Sequence, residues 1–321
     1  MSGSYKNVVP DWQESSTCGI YKNGGDLYVV DANGKRTQEI DNELQKYAEE
    51  YSKGNLKHAT SVPLVSVYKK DVCVPKYYNK KYKKDYQKML AAYGINSVSL
   101  EHLMKRGIIT VLSGHGSPSN DQRNGVIPYI KVSDIRNMRI NINPTNLIPL
   151  ALAQKFWHTK DGVSDIHAWD IITPNRASSN IGEFSIIMPG EENIVLTKEV
   201  FIIRVNDNDI GITPFYLLWA FSLTEVRNQW RRITLMQTNR EDVGTRYKEI
   251  EIPLPPDQMW AVNVSKPFSD YFQGIANAKA LFIQNTNLDA FNYIASVSTF
   301  IPQQDDSNDD FDDNDFAEET N

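Results

Sequence analysis

The chain has 321 residues, of which 23% are charged and 40% are hydrophobic, and it contains only two cysteines. This composition is typical of a globular protein with one or two domains, and it excludes collagen, coiled-coil and disulfide-stabilised proteins. No apolar run approaches the roughly 20 residues that span a bilayer, and the first residues do not form a secretory signal. We therefore expect a cytoplasmic protein that does not associate with a membrane.

The net charge of -6 comes from the C-terminal end of the chain. Residues 303–321 contain seven Asp and two Glu but no Lys or Arg. Without these nine acidic residues, 34 basic side chains remain against 31 acidic ones, so the rest of the chain carries about +3. Because the tail is poor in apolar residues and repels itself, we expect it to be disordered. The remaining chain is compatible with a nucleic-acid partner.

The first 60 residues predict a strand followed by a helix. Asp26–Asp31 is an apolar run that leads into a turn at Asn33 and Gly34. Asp41 is a candidate N-cap for a helix that would end at Gly54, with apolar side chains spaced for one helical face.

Lysine and tyrosine residues alternate through residues 61–96. A cluster of this composition suits contacts with phosphates and stacking on bases or sugars, and it suits a solvated connector equally well. We predict that DNA contacts in this segment come from Lys80, Lys81, Lys83 and Lys84.

From Ser97 onward the pattern changes to many short apolar stretches separated by turns. After a short helix that ends at Gly107, this pattern predicts a mainly β domain with a barrel-like or curved sheet. Thr213 and Pro214 predict the start of a helix, and a helical apolar stripe continues from Val264 to about residue 296. The predicted fold class is α+β: a mainly β domain, a long C-terminal helix and a small N-terminal α/β segment.

The residue patterns of catalytic sites are missing from the sequence. Gly114-His115-Gly116 lacks the third glycine of a dinucleotide loop, and the five histidines do not have metal-ligand spacing. The Asn/Asp-Pro-Pro-Tyr/Phe box with which amino-methyltransferases hold a flipped base is also missing. We therefore predict no catalytic residue, no metal site and no cofactor in this chain.

Four motifs follow one another between residues 97 and 258. They are SGHGSP at residues 113–118, NGVIPYIKVSDI at 124–135, DIITPNRASSNIG at 170–182 and IPLPPDQ at 252–258. In this order, and followed by a helical stripe, they resemble the target-recognition domain of type I restriction-modification specificity subunits. Each motif is short and tolerant of substitution, whereas their succession is fairly specific.

A second, weaker resemblance covers residues 17–50. The segments TCG at 17–19, GD at 25–26, NGK at 33–35 and DNEL at 41–44 resemble the final strands and helix of N6-adenine DNA methyltransferases. The chain is then either the C-terminal piece of a fused methyltransferase-specificity polypeptide or a split natural subunit. The family normally has two recognition domains and two long helices, and the single set here implies a half-unit that forms a homodimer or serves an asymmetric site.

The resemblance implies that the chain reads double-stranded DNA for a partner subunit. That partner would be an N6-adenine methyltransferase that binds S-adenosylmethionine and flips the adenine, with a restriction subunit as a further partner. Two other functions stay open: the recognition half of a single-chain methyltransferase or restriction enzyme, and an acidic-tailed interaction protein that does not bind DNA.

Candidate DNA contacts lie in and beside the four motifs. Gly114 and Gly116 permit positive φ and close approach to a phosphate, although a plain hairpin turn needs the same residues. Basic residues after a buried strand would contact phosphates or guanine, and the polar turn after Pro174 would read base edges in the major groove. A second polar loop follows an arginine-rich helix end. The predicted contacts of these three segments are Lys131, Arg136, Arg139, Asn175, Arg176, Ser178, Ser179, Asn180, Arg231, Arg232, Gln237, Asn239, Arg240 and Arg246.

The C-terminal helical stripe carries more apolar surface than one helix edge needs, and few basic residues. This balance predicts a protein-docking surface and not a DNA reader, with packing in the chain's own core as the alternative. The predicted docking residues are Phe268, Tyr271, Phe272, Ile275, Leu281 and Phe282. The predicted divisions of the chain are an N-terminal segment (1–96), a target-recognition domain (97–258), a helical spacer (259–302) and an acidic tail (303–321).

Overall fold

The computed structural model describes most of the chain between residues 8 and 285. The described residues are 8–10, 18–20, 24–54, 59–61, 70, 72, 74–78, 80–159, 161–176, 180–237 and 240–285. They contain both helices and short strands, which confirms the predicted α+β class. The acidic tail and the end of the predicted C-terminal helix lie outside the described residues.

The N-terminal segment contains short strands around one helix. These elements are β1 (Val8–Pro10), β2 (Tyr28–Val30), β3 (Arg36–Ile40), α1 (Glu43–Ser52) and β4 (Ala59–Ser61). Strand β1 pairs with β4, and β2 pairs with β3. The predicted strand and helix are both present, but the N-cap of α1 is Asn42, whose side chain accepts a hydrogen bond from the amide of Gln45, one residue later than predicted.

The lysine- and tyrosine-rich segment forms helix α2 (Lys80–Tyr93) after a 3₁₀ turn at Pro75–Tyr78. Tyr86 and Leu90, four residues apart, lie on its buried face, and Tyr77 of the preceding turn is buried as well. A connector was one of the two expectations for this segment, and it is wrong for residues 80–93. The period of four between buried side chains makes the segment an amphipathic helix.

The mainly β region contains short strands interrupted by two small helices. Its elements are β5 (Ser97–Ser99), α3 (Leu100–Lys105), β6 (Ile109–Ser113), β7 (Ile127–Ile130), β8 (Ile135–Arg136), β9 (Arg139–Ile140), β10 (Leu147–Ile148), α4 (Leu150–Phe156), β11 (Ile171–Pro174), β12 (Ser185–Ile186), β13 (Val195–Leu196) and β14 (Val200–Val205). Helix α3 ends before Gly107, which has a φ of 71°. The predicted end of this helix is therefore confirmed.

Two small sheets form the centre of this region. One has the strand order β12-β11-β14-β6 and is antiparallel throughout. The other has the order β10-β7-β13, and its β13–β7 pair is parallel. Every residue of β7 and of β11 is buried, so both strands have protein on both faces.

The remaining elements are mostly helical and pack against the four-stranded sheet. They are α5 (Pro214–Ser222), α6 (Thr224–Ile233), β15 (Leu235–Gln237), β16 (Arg240–Asp242), β17 (Glu251–Pro253) and α7 (Gln258–Asn285). The hydroxyl of Thr213 accepts the amide hydrogen of Tyr216, which confirms the predicted cap of α5. Trp230, Tyr216 and Phe221 are among the largest fully buried side chains of this core.

Helix α7 begins at Gln258, six residues before the predicted start, and is described as far as Asn285. The carboxylate of Asp257 accepts the amide hydrogen of Trp260, so this residue caps the first turn. No helix in the described part of the chain is long and apolar enough to cross a membrane.

An ion pair joins strand β14 to Asp170, the residue that directly precedes strand β11 of the same sheet. Arg204 of β14 donates from Nε and Nη2 to the two carboxylate oxygens of Asp170, at 2.9 and 2.6 Å. The Asp170 side chain is 1% exposed and that of Arg204 is 21% exposed. The hydrogen bonds that Arg204 donates to Asp170 raise the pKa of the guanidinium. The carboxylate also accepts the amide hydrogen of His167, so one buried charge orders both a sheet and the loop before it.

We expect Asp170→Ala to lower the free energy of unfolding by roughly 3 to 5 kcal/mol, because it leaves the Arg204 charge partly buried without a partner. Urea unfolding measures this loss. The double variant Asp170→Leu/Arg204→Met, which removes both charges, should lose much less than the sum of the single variants. A loss below about 1 kcal/mol for Asp170→Ala would contradict a structural role for the pair.

Candidate nucleic-acid interface

The polar turn that follows strand β11 is fixed to the fold at its N-terminal end. We call residues 175–180 the recognition turn. The amide of Asn175 donates to the carbonyl of Glu199 at 3.0 Å, and its own carbonyl accepts the amide hydrogen of Val243 at 3.0 Å. Ser178 and Ser179 lie outside the described residues. The turn therefore starts from a rigid strand end that holds Asn175 between two neighbouring segments.

A tight hairpin lies beside the other end of the recognition turn. We call residues 135–140, which are β8, β9 and the turn between them, the arginine hairpin. The Asn180 amide group donates to the carbonyl of Val132, just before this hairpin, at 3.2 Å. Asn137 and Met138 have φ of 52° and 61°, as a two-residue hairpin turn requires. Arg136 and Arg139 stand on either side of that turn.

A second hairpin, which follows the recognition turn in the sequence, also contacts it. We call residues 235–242, which are β15, β16 and their connection, the polar hairpin. Arg176 forms a β-bridge with Asp242, and its Nε lies 3.9 Å from the Asp242 carboxylate. Three polar segments that are far apart in the sequence therefore meet around residues 175–180.

The basic residues predicted to contact DNA around the recognition turn differ in how exposed their side chains are to a ligand. The Arg176 side chain is 50% exposed, and Arg136 is exposed with its Nε bonded to the Ser133 carbonyl. Lys131 and Arg139 are half-buried, and Arg231 is exposed at the end of α6. Asn239 lies outside the described residues, as do the side chains of Gln237 and Arg240.

Two predicted DNA contacts are engaged within the protein. Arg246 donates to the carbonyls of Ile233 and Asp242, at 3.0 and 2.7 Å, and so connects the end of α6 to the polar hairpin. Arg232 lies over the ring of Tyr77, 4.8 Å from its centroid, and faces Glu249 at 3.4 Å. These guanidinium groups already satisfy carbonyl and carboxylate acceptors, which favours a fold-stabilising role, and their DNA contacts stay a prediction.

The predicted phosphate loop at Gly114 and Gly116 also needs correction. Neither glycine has positive φ. An added Cβ would collide with the Thr197 carbonyl at Gly114 and with the Phe156 ring at Gly116. Glycine is therefore required at these positions because neighbouring atoms leave no room for a Cβ. It is not required by a positive φ, which was the basis of the predicted phosphate loop.

The lysines of helix α2 form a separate basic surface. Lys81, Lys83 and Lys84 are exposed, whereas Tyr86 and Leu90 of the same helix are buried. The side chain of Lys80 lies outside the described residues. The helix thus presents positive charge to solvent on the face opposite its core contacts, as phosphate contacts require.

The predicted docking residues divide between the core and the surface. Phe272 is 1% exposed and belongs to the main core, so its predicted docking role is wrong. Phe268 and Ile275 are partly buried and pack against the same core, which corrects the prediction that they form an exposed surface. Tyr271 and Leu281 are 58% and 57% exposed, and Phe282 is 48% exposed. Between them lie Gly274 and Ala278, which are also exposed.

Two histidines form a hydrogen-bonded cluster around Asp165 that the sequence did not predict. The Asp165 carboxylate faces Nε2 of His115 at 2.8 Å and Nδ1 of His158 at 2.7 Å. Burial alone would raise the pKa of Asp165, but the hydrogen bonds and electrostatic attraction of the two rings hold it well below its usual range. Fifty residues separate Asp165 from His115. No local spacing in the sequence could have shown this contact.

His115, His158 and Asp165 offer three side chains that could hold a metal ion. The backbone amide of Leu196, however, donates to Nδ1 of His115 at 3.0 Å. This bond places the ring proton on Nε2, the atom that faces Asp165. A metal on Nε2 would require loss of that proton while Nδ1 still accepts a hydrogen bond, whereas a ligating histidine normally donates from its other nitrogen. The geometry favours a hydrogen-bonded chain that anchors the loop at residues 113–118.

The comparisons with known proteins give a partial structural likeness. No model of a known protein family matches the sequence. A comparison with curated proteins finds no match. Among solved structures, the chain is similar to a type I restriction-modification S subunit from M. genitalium, with 12% identity, a TM-score of 0.37, and coverage of 59% of this chain and 42% of that one.

Two further solved structures show a similar degree of likeness. The HsdS subunit from Thermoanaerobacter tengcongensis has 13% identity, a TM-score of 0.35, and coverage of 64% of this chain and 42% of that one. A structure from a study of complex assembly and conformational transition in the type I restriction-modification system has 14% identity, a TM-score of 0.36, and coverage of 68% and 52%. The chain spans about half of these proteins or less.

We expect Asp165→Asn to lower the free energy of unfolding by roughly 1.5 to 3 kcal/mol, because an amide group cannot accept from both rings. His115 cannot adapt by changing tautomer, since the Leu196 amide occupies its Nδ1. Thermal or urea unfolding as a function of pH measures the difference from wild type.

This difference should depend on pH in a defined direction. A carboxyl group whose pKa is lowered by folding stabilises the protein above its unfolded pKa, near 4, and loses that contribution as the pH falls. The wild type should therefore approach the variant in stability below about pH 4. A difference that grows on acidification would contradict the assigned hydrogen bonds. The exposed control Asp161→Asn should change little at any pH.

Proposed function

We propose that this chain is a sequence-specific DNA-recognition module that directs a partner N6-adenine methyltransferase in a restriction-modification or phage-defence system. The succession of four recognition-domain motifs between residues 113 and 258 supports this function. In this proposal the chain itself is not catalytic, and S-adenosylmethionine binds to the partner. A restriction subunit and a second copy of the chain are further partners.

The convergence of three polar segments is the observation that carries the proposal. The recognition turn is joined to the polar hairpin by the Arg176–Asp242 bridge, and to the residue stretch before the arginine hairpin by the hydrogen bond from the Asn180 side chain to the Val132 carbonyl. A reader of base edges must present its donors and acceptors in a fixed geometry, because bidentate contacts tolerate little displacement. Strand β11, buried over its whole length, supplies that rigidity.

The charged groups around this junction divide into two roles. Arg176, exposed at the turn, has the planar fork that pairs with guanine O6 and N7. Arg136 at the arginine hairpin, Arg231 at the end of α6 and the lysines of α2 are suited to phosphates, which fix position without reading sequence. In this assignment, specificity depends on a few side chains and affinity on many.

The exposed apolar stripe on α7 supports docking to another protein. Tyr271 and Leu281 expose more than half of their surface, with Gly274 and Ala278 between them on the same side of the helix. Small residues between large ones let a second helix approach closely. We assign this face to the methyltransferase subunit, with a second copy of the chain as the alternative occupant.

The first test measures duplex DNA binding by the full chain at several salt concentrations, with and without the methyltransferase. Because phosphate contacts release counterions, a few-fold increase in salt should weaken binding by orders of magnitude. Arg176→Ala should broaden the motif selected from a random duplex library at one or two base pairs, by roughly 1 to 3 kcal/mol each. Replacing Lys81, Lys83 and Lys84 together should weaken all sequences about equally.

Arg36→Ala serves as the matched control, because Arg36 is a cation that lies over Tyr28 in the N-terminal hairpin, outside the proposed interface. It should leave the selected motif unchanged. No binding to duplex DNA under any of these conditions would reject the proposed function. An unchanged motif with Arg176→Ala would remove this residue from the base-reading role.

The second test concerns the docking surface. Tyr271→Asp combined with Leu281→Asp should abolish co-purification with the methyltransferase, or dissociate a homodimer, while circular dichroism and melting temperature stay near those of wild type. Both side chains are exposed, so their change should leave the core intact. Met259→Asp, a change of an equally apolar residue that is 75% exposed in the first turn of α7, is the control. Normal assembly of the double variant would exclude this face as the docking surface.

A further inference from the structure

Two cations lie beside Tyr129 of strand β7: Arg123, whose guanidinium covers the Tyr129 ring, and Lys131, which is two residues further along the extended chain and so leaves it on the same side. Arg123 precedes the strand and Lys131 follows it directly. Within the described part of the chain, neither side chain forms an ion pair with Asp or Glu. The Arg123 guanidinium lies over the ring of Tyr129, 5.3 Å from its centroid, and its Nη2 donates to the Pro118 carbonyl at 3.0 Å.

This arrangement leaves donors unsatisfied. The Nε of Arg123 is buried and has no acceptor among the described residues. Lys131 is half-buried, and burial together with the nearby Arg123 charge lowers the pKa of its amino group. Two like charges that are close together and partly shielded from water cost free energy unless an anion compensates them.

The acidic residue nearest to Lys131 in the sequence already accepts hydrogen bonds from its own turn. Asp134 is 7% exposed, and its Oδ2 accepts the amide hydrogen of Lys131 at 2.9 Å. Its Oδ1 accepts from the hydroxyl of Ser133 at 3.2 Å. Asp134 therefore caps the 3₁₀ turn at residues 132–134 and is already engaged there, so it offsets the two cations only in part.

Lys131 lies next to the recognition turn, and Arg123 contacts the loop at residues 113–118. Lys131 is adjacent to Val132, whose carbonyl accepts the hydrogen bond from Asn180. Arg123 is bonded to Pro118, in the same loop as Ser117, whose hydroxyl lies 3.3 Å from that of Thr197. An anion held by Arg123 and Lys131 would thus contact the support of the turn that is expected to read bases.

We propose that Arg123 and Lys131 form a phosphate-binding pair that holds one phosphate of the DNA backbone beside the recognition turn and so sets its register. The inference rests on the proposed function for the identity of the ligand. Arg123 supplies a planar fork and Lys131 a point charge, a combination that suits a phosphate diester. The phosphate takes the place of the missing carboxylate and removes the repulsion between the two cations.

The test compares Arg123→Gln, Lys131→Gln and the double variant with wild type in the full chain. Duplex DNA binding is measured against salt concentration, with several sequences. The double variant should reduce the slope of log affinity against log salt by about one unit, the value for one phosphate contact, and weaken all sequences by the same factor. Lys105→Gln, which removes one exposed cation paired with Glu101, is the charge-matched control for each single variant.

The outcomes separate this inference from the proposed function. If the double variant behaves like Lys105→Gln, or loses affinity for some sequences only, Arg123 and Lys131 do not bind a phosphate. The proposed DNA-recognition function still holds in that case, provided that the wild type binds DNA. Lys131→Gln alone keeps the test valid if loss of the Pro118 bond unfolds the Arg123 variants, because the Lys131 side chain makes no hydrogen bond within the described residues.

A second measurement decides the case in which wild type does not bind DNA. Inorganic phosphate should raise the melting temperature of wild type above that in chloride of equal ionic strength, because a ligand of the folded state stabilises it. The double variant should lose this difference, and Lys105→Gln should retain it. Equal behaviour of wild type and the double variant in phosphate overturns the pair as an anion site.

Discussion

The bidentate ion pair between Arg204 and Asp170 is the interaction on which the hydrogen bonds that connect the two sheets of the β region depend. Burying either charge alone would cost much free energy, and the burial of each is offset by its contact with the other. The same Nη2 of Arg204 also donates to the backbone carbonyl of Asp165 at 2.6 Å. The Asp165 side chain in turn holds His115 and His158, and His115 accepts from the amide of Leu196 on β13. One guanidinium thus connects the four-stranded sheet to a loop and, through that loop, to the second sheet.

This chain of hydrogen bonds gives the glycine motif a structural explanation. With His115 fixed on both sides, the loop at residues 113–118 lies so close to Thr197 and Phe156 that only glycine fits at positions 114 and 116. Gly125 has the same property, because an added Cβ would collide with the backbone of Ile148 and Pro149. The residues that carry the family resemblance are therefore partly packing requirements, and the polar side chains that would read DNA lie beside them.

Local signals in the sequence predicted much of the fold, and long-range contacts were out of their reach. The cap at Thr213 and the helix end at Gly107 were predicted because their causes lie within a few residues. Helix α2 was missed since its many lysines hid a short buried stripe at Tyr86 and Leu90. Phe272 and Leu281 looked alike in the helical stripe, and only the position of the neighbouring core distinguishes the buried residue from the exposed one.

The same limit applies to the arginines of the candidate interface. A guanidinium has five N–H donors, and a sequence cannot show how many of them the fold itself uses. Arg204, Arg232 and Arg246 bond to carboxylates or carbonyls, and Arg227 pairs with Glu183. Arg123 was not predicted, yet it retains an unsatisfied buried donor beside a second cation. Because an engaged arginine can contact DNA only through the donors that its internal bonds leave free, the number of unsatisfied donors measures the capacity of a basic surface better than its number of arginines. By this measure Arg123, with an unsatisfied Nε, keeps a donor for phosphate that its place in the sequence did not indicate.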